Sequence, residues 1–143
     1  MRLYFDTAYV AKCYLNETDA KAVRKLATRA TGLYSSAWCI PELACVFQRQ
    51  IRESRLSKAE AAQVRALFLE DVGNGVWSLL PLSESFLHRV ESLVASLPTS
   101  LYLRAGDAIH LAAAQGAGFS DIWSNDRRLL DAAAGFGLTG RSV

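Results

Sequence analysis

The feature that most limits what this chain can become is an apolar period that keeps changing. Short β-rich runs alternate with longer stretches whose apolar residues recur at helical spacing. That alternation predicts an α/β domain on a parallel sheet, because neighbouring parallel strands must be joined by helix-length crossovers. Strands are predicted at 2–6, 33–36, 76–80 and 121–124, with room for an edge strand near the carboxyl terminus. The first helix is predicted from Thr7 to Leu15 under an Asp6 or Thr7 cap, and the second from Thr18 to Ala30, where Gly32 stops it. A third opens at Pro41, whose missing N–H suits a first turn, and runs to Ser54. Ser57-Lys58-Ala59-Glu60 is a capping box, so a fourth helix starts there, pairs with the third as a hairpin and ends at Gly73-Asn74-Gly75. Ser83 caps a fifth helix reaching Ser96, a sixth spans Gly106 to Gly116, and Ser124 or Asn125 caps a last one ending near Gly135.

Composition closes off several function classes. A chain of 143 residues can bury a core without disulfides, and no linker or repeat divides it, so one domain over 1–143 is expected. Hydrophobic content of 51% with 21% charged residues excludes disorder and low complexity. Cys13, Cys39 and Cys45 form neither a C-x-x-C pair nor a zinc-like spacing with the histidines, which fits a reducing, cytoplasmic setting. Asp6 cuts the amino-terminal apolar run too early for a signal peptide, and no stretch reaches membrane-spanning length. A net charge of +2 would not by itself draw the protein to nucleic acid. Two stripes at helical spacing, Lys21, Arg24, Lys25 and Arg29, then Arg49, Arg52 and Arg55, are either phosphate contacts or solvated helix faces.

Four acids fall where the backbone changes direction. Asp6 closes the first strand, Glu42 follows Pro41 at a helix opening, Asp107 opens an alanine-rich helix, and Asp126 follows Ile122-Trp123-Ser124. Ligands of open parallel sheets collect at the carboxyl ends of strands, where strand order reverses, and following helices begin at that same edge. Carboxylates gathered there would repel one another unless a hard cation such as Mg²⁺ sat among them. Each acid at a helix start also has a purely structural use, since a first-turn or capping carboxylate stabilises the helix by roughly 0.3–2 kcal/mol. Asp121 flanks the same strand as Asp126 and competes with it; Asp126 is preferred because it opens a helix at a strand end. His110, one turn after Asp107, is read as a packed or supporting histidine, since Mg²⁺ prefers oxygen. Arg104 is a phosphate contact or a surface ion pair, and Trp38, Trp77 and Trp123 are base platforms or core.

The motifs Leu3-Tyr4-Phe5-Asp6-Thr7-Ala8, Pro41-Glu42-Leu43, Leu103-Arg104-Ala105-Gly106-Asp107-Ala108-Ile109-His110-Leu111-Ala112 and Ser124-Asn125-Asp126-Arg127-Arg128-Leu129 resemble, in order, those of PIN-domain nucleases. They look most like the VapC-like toxin ribonucleases of bacterial toxin–antitoxin systems. The resemblance implies a PIN-like three-layer α/β/α fold with a central, mainly parallel sheet of four to five strands. It implies a Mg²⁺- or Mn²⁺-dependent endoribonuclease with Asp6, Glu42, Asp107 and Asp126 as the acidic set. Asp6, Asp107 and Asp126 would coordinate metal, and Glu42 would orient metal or water. Thr7, Ser124 and Asn125 would be the hydrogen-bond partners behind them. Gly106 stands where that family often has a larger residue such as Ala, a change expected to leave metal binding unaffected. An RNA substrate, a VapB-like antitoxin and a homodimer are the implied partners, the dimer resting on apolar residues of the first three helices. A rival reading keeps the fold as a non-catalytic RNA-binding or protein-interaction domain. The Asp-Thr pair after the first strand is also found in phosphatases and phosphoacceptor domains, but Ala8 stands where their second aspartate would be and a catalytic lysine is missing.

Overall fold

A computed structural model describes all residues from Met1 to Val143. The chain runs β1 (Arg2–Tyr4), α1 (Thr7–Tyr14), α2 (Ala20–Ala27), β2 (Gly32–Ser36), α3 (Cys39–Arg52), α4 (Lys58–Gly73), β3 (Trp77–Leu80), α5 (Glu84–Ala95), α6 (Ala105–Gly116), β4 (Asp121–Trp123), α7 (Arg127–Ala132), a 3-10 turn (Ala133–Phe136) and β5 (Thr139–Arg141). All strand pairs are parallel. β1, β2 and β3 form one ladder and β4 and β5 another. A single parallel bridge, Phe5 to Trp123, joins the two through the Asp6 N–H and the Trp123 carbonyl at 3.2 Å. The strand order is therefore β3-β2-β1-β4-β5, the five-strand parallel arrangement expected, and the order reverses between β1 and β4.

Alternation along β1 builds two cores. Leu3 and Phe5 point into one layer with Tyr9, Val10, Val23, Leu43, Phe47, Phe68 and Trp77, so α1 to α4 cover that face. Tyr4, between them, points the other way into Leu111, Ile122, Leu129 and Phe136 and the alanines of α6. Side chains of a strand alternate between faces, so three consecutive residues commit the chain to an α/β/α sandwich. The alanine run lets α6 lie close to the sheet, and its residues from Asp107 to Ala114 are all buried.

Boundaries differ from expectation where local chemistry competes. α2 starts at Ala20 rather than Thr18 because Asp19 adopts a left-handed backbone (φ 68°) and the Thr18 carbonyl is taken by Lys12 Nζ at 2.6 Å. After Ala27 the chain tightens into i→i−3 bonds at Arg29 and Ala30. α3 opens at Cys39, which moves Pro41 inside the first turn, where its lack of an N–H still costs nothing. The last helix is capped by Asp126, not by Ser124 or Asn125, and its final turn is 3-10, closed by Gly137 at φ 71°. The Ser57 capping box and the Ser83 cap form as predicted. No helix is long and apolar enough to cross a membrane.

Phe5 carries the most structure per side chain. Its backbone bridges the two ladders, and its fully buried ring meets Tyr9 edge-on at 5.3 Å and Trp77 at 6.0 Å. Phe5→Ala is expected to cost about 3–5 kcal/mol, as other buried phenylalanines do, measured by urea unfolding. A loss below about 1 kcal/mol would mean that the seam does not depend on this ring.

Candidate active site

The crevice at the switch between β1 and β4 receives the carboxyl end of β1, the end of β4 and the first turns of α3 and α6. Asp6 leaves β1 to cap α1, its Oδ1 accepting from the Tyr9 N–H at 3.0 Å. Its Oδ2 accepts from the Ser124 hydroxyl at 2.5 Å. The same Ser124 oxygen accepts the Asp126 N–H at 2.9 Å, so one fully buried serine ties the first acid to the last. Asp126 caps α7 through Oδ1, which takes the N–H groups of Arg128 (2.9 Å) and Leu129 (3.4 Å). Its second oxygen stays free for the crevice, where Arg104 Nη2 reaches it at 2.6 Å. Arg104 Nε also holds Asp107 Oδ2 at 3.1 Å, so one guanidinium spans two of the acids.

Glu42 belongs to a second chain of bonds. The Thr7 hydroxyl donates to its Oε1 at 2.6 Å, and His110 Nε2 meets the same oxygen at 2.8 Å. On the far side of the ring, Nδ1 lies 2.9 Å from the Tyr4 hydroxyl. A proton on Nε2 satisfies the whole chain: Tyr4 donates to Nδ1 and Nε2–H donates to Glu42. Burial holds the Tyr4 hydroxyl well above its ordinary range, so it remains a donor. His110 is thus buried and bonded behind Glu42 and against β1, in line with its reading as a packed or supporting histidine.

The acids are not electrostatically equivalent. Asp6 is 4% exposed, and burial pushes it up to about 6. A protonated His110 and the bonds from Ser124 and Tyr9 oppose that rise, while the Asp126 charge adds to it. Burial would raise Glu42 too, but the hydrogen bond from His110, the charge His110 carries when protonated, the Thr7 hydroxyl and Arg104 bring it below the usual carboxylate value. Gly106 brings α6 against this carboxylate: a Cβ there would stand 3.1 Å from Glu42 Oε2 and 3.3 Å from Trp38 Nε1. An alanine there would require the Glu42 and Trp38 side chains to give by a few tenths of an ångström.

Other expected residues fall elsewhere. Asp121 starts β4, at the opposite sheet edge from Asp126, and pairs with Arg141 at 2.8 Å. Asn125 is exposed; its Oδ1 accepts from the Tyr9 hydroxyl at 3.0 Å and its Nδ2 faces Asp19 at 3.4 Å. Trp77 is core, donating to the Tyr14 hydroxyl at 2.7 Å, while Trp38 and Trp123 are half-buried against the two cores. The aromatic at the mouth is Tyr102, 58% exposed, with the Arg128 guanidinium 3.7 Å above its ring. A lone tyrosine in a polar loop gives no periodic signal, so the sequence did not single it out. Of the basic stripes, Arg24 donates to the Lys12 and Leu15 carbonyls, and Arg49 and Arg55 both pair with Glu53.

An oxygen-only donor set suits a hard divalent ion. As the side chains lie, no three of the His, Cys, Asp and Glu residues are grouped closely enough to hold one. Yet the Arg104 guanidinium between Asp107 and Asp126 marks a point where these two carboxylates share a positive charge, and Asp6 joins Asp126 through one serine. The donor chemistry suits such an ion, but to bind one the carboxylates would have to turn toward one another and Arg104 would have to leave the gap between Asp107 and Asp126.

Asp6 makes the metal-free site costly in a defined pH window. Its folded value lies above the ordinary 3.8, so between about pH 4 and 6 the folded chain holds a proton that the unfolded chain has lost. Stability contributed by Asp6 is present at low pH and is lost as pH rises through about 6, a difference on the order of 3 kcal/mol. Asparagine caps a helix as well as aspartate. In chelator, the stability of Asp6→Asn minus that of wild type should therefore grow from pH 4 to pH 7, read from urea curves. A difference that does not change with pH would contradict the burial argument.

Comparison with known proteins agrees with this architecture. Residues 3–135 match the model of the PIN domain family. No curated protein matches in sequence. Among solved structures the chain is similar to one described as VapBC2 from Rickettsia felis bound to a DNA fragment from their promoter, with a TM-score of 0.67 and 14% identity over 99% of this chain and 98% of that one. At that identity the structural likeness speaks for the fold, and the family match covers nearly the whole chain: this protein belongs to the PIN domain family.

Proposed function

We propose that residues 1–143 form a single metal-dependent endoribonuclease domain that hydrolyses RNA phosphodiester bonds, the VapC-like toxin of a toxin–antitoxin pair. The observation that carries this reading is the meeting of Asp6, Asp107 and Asp126, from three distant segments, at the switch crevice, two under one guanidinium and two under one serine. Asp6, Asp107 and Asp126 would hold Mg²⁺ or Mn²⁺. Bound there, the ion supplies charge that polarises the scissile phosphate and acidifies the attacking water. Glu42, held ionised and fixed by Thr7 and His110, would orient that water or the metal. Ser124 fixes Asp6 by donating to it, and Asn125 ties the loop to Tyr9. Tyr102 under Arg128 offers a stacking face and a charge for single-stranded RNA beside the crevice. A non-catalytic RNA-binding domain would gain nothing from three acids that repel phosphate.

The partners follow the same reading. We propose a cytoplasmic homodimer silenced by a VapB-like antitoxin whose tail lies over the crevice and offers a basic side chain to the acids. Most apolar residues of the first three helices are buried in the core, with Ile40 of α3 exposed. Exposed apolar side chains also lie on α4 (Leu67, Leu69) and α5 (Leu87, Val94). Light scattering showing only monomer over a wide concentration range would remove the dimer. Antitoxin should weaken cleavage and Mn²⁺ affinity together, since two ligands of one site are reciprocally linked; unchanged values at saturation would rule out direct occlusion.

The decisive assay incubates antitoxin-free protein with structured RNAs in Mg²⁺, Mn²⁺ or chelator. Asp6→Asn, Asp107→Asn and Asp126→Asn should each lose at least about 100-fold in cleavage, more than outer partners of a metal site are worth, with circular dichroism unchanged. Asp121→Asn should cleave like wild type. Wild-type cleavage by Asp107→Asn with the same metal dependence would sink the assignment.

A further inference from the structure

Arg104 precedes α6 in the capping position yet makes no capping bond. Its fork goes instead to the crevice, to Asp107 one turn on and across to Asp126. The side chain is 55% exposed, so packing does not fix it there. It lies two positions from Tyr102, whose ring Arg128 covers, and is bonded to the acid that is two positions from Arg128. The contacts that hold it are to the oxygens a divalent ion would need, and two cations cannot share the gap between Asp107 and Asp126 without mutual repulsion.

Resting on the nuclease reading above, we infer that Arg104 is the internal counter-ion of the metal-free crevice and a substrate-binding residue of the loaded one. It neutralises Asp107 and Asp126 until they turn to the metal, then swings out to take a phosphate of the RNA. The exchange is physically easy. Half-exposed ion pairs are weak, about 0.2–1 kcal/mol each by comparison with other proteins, whereas carboxylates hold a divalent ion with several bonds at once. A planar guanidinium fork matches phosphate as well as carboxylate. The handover makes metal and RNA bind cooperatively, because the first frees the group that the second uses.

Calorimetric Mn²⁺ titration of the full chain without RNA tests the first half, on wild type, Arg104→Gln and Arg104→Lys. Arg104→Gln should bind Mn²⁺ between about twofold and thirtyfold more tightly, the range two such pairs span, and Arg104→Lys should fall between, keeping the charge but not the fork. Steady-state cleavage of a single-stranded RNA at saturating Mn²⁺ tests the second half: KM should rise about tenfold or more in Arg104→Gln and recover in part in Arg104→Lys. Mn²⁺ binding with wild-type affinity in Arg104→Gln overturns the counter-ion role, and an unchanged KM overturns the phosphate role. Failure of wild type to bind Mn²⁺ at all, with no cleavage, overturns the nuclease reading itself.

Discussion

A carboxylate shut away from water at the end of a central strand is the constraint from which the rest of this site follows. Asp6 cannot be ionised there without donors, and the surroundings supply them: the first turn of α1 gives Tyr9 N–H, and the end of β4 gives the Ser124 hydroxyl. Ser124 can reach Asp6 only because Phe5 and Trp123 pair across the sheet. The pairing in turn depends on the apolar alternation of Leu3, Tyr4 and Phe5, which fastens β1 between two cores. A short strand, a serine and an acid thus stand or fall together.

Glu42 is a contrast in how the same fold treats a second carboxylate. It is reached by His110 and Thr7 from two other elements, and these donors more than offset its partial burial. Without a cation nearby Asp6 readily keeps a proton, while Glu42 is held ionised. Each has two hydrogen-bond donors, so the difference arises from the deeper burial of Asp6 and from Arg104 and His110 beside Glu42, as in other sites where environment separates two carboxylates.

Much of the fold was legible because periodicity and capping are local. Ser57, Glu60 and Ser83 announced their helices, and the alanine-rich run expected as a helix from Gly106 to Gly116 forms one from Ala105. The expectation that the four acids gather came from a rule of parallel sheets, not from a distance. What stayed hidden was non-local or degenerate. Three adjacent residues, Ser124, Asn125 and Asp126, can all cap a helix, and the choice fell to Asp126 because Ser124 was already committed to Asp6. The bond from His110 to Glu42 joins positions 68 apart, and that from Arg104 to Asp126 joins positions 22 apart, so spacing within a helix could not reveal them. The second helix, expected from Thr18, starts later because Asp19 takes up a left-handed backbone, a choice that helical periodicity does not register.

The acids sit on two separately laddered pieces of sheet. Asp6 and Glu42 ride with β1 and β2, while Ser124 and Asp126 ride with β4 and β5, and one backbone bridge joins the pieces. A small sliding of one ladder along the other would change the gap between Asp6 and Asp126 while leaving every helix intact. Besides the Ser124 hydroxyl, the bond from the Asp6 N–H to the Trp123 carbonyl ties the two pieces at this point, and the exchange rate of that amide with solvent is a gauge of how often the seam opens.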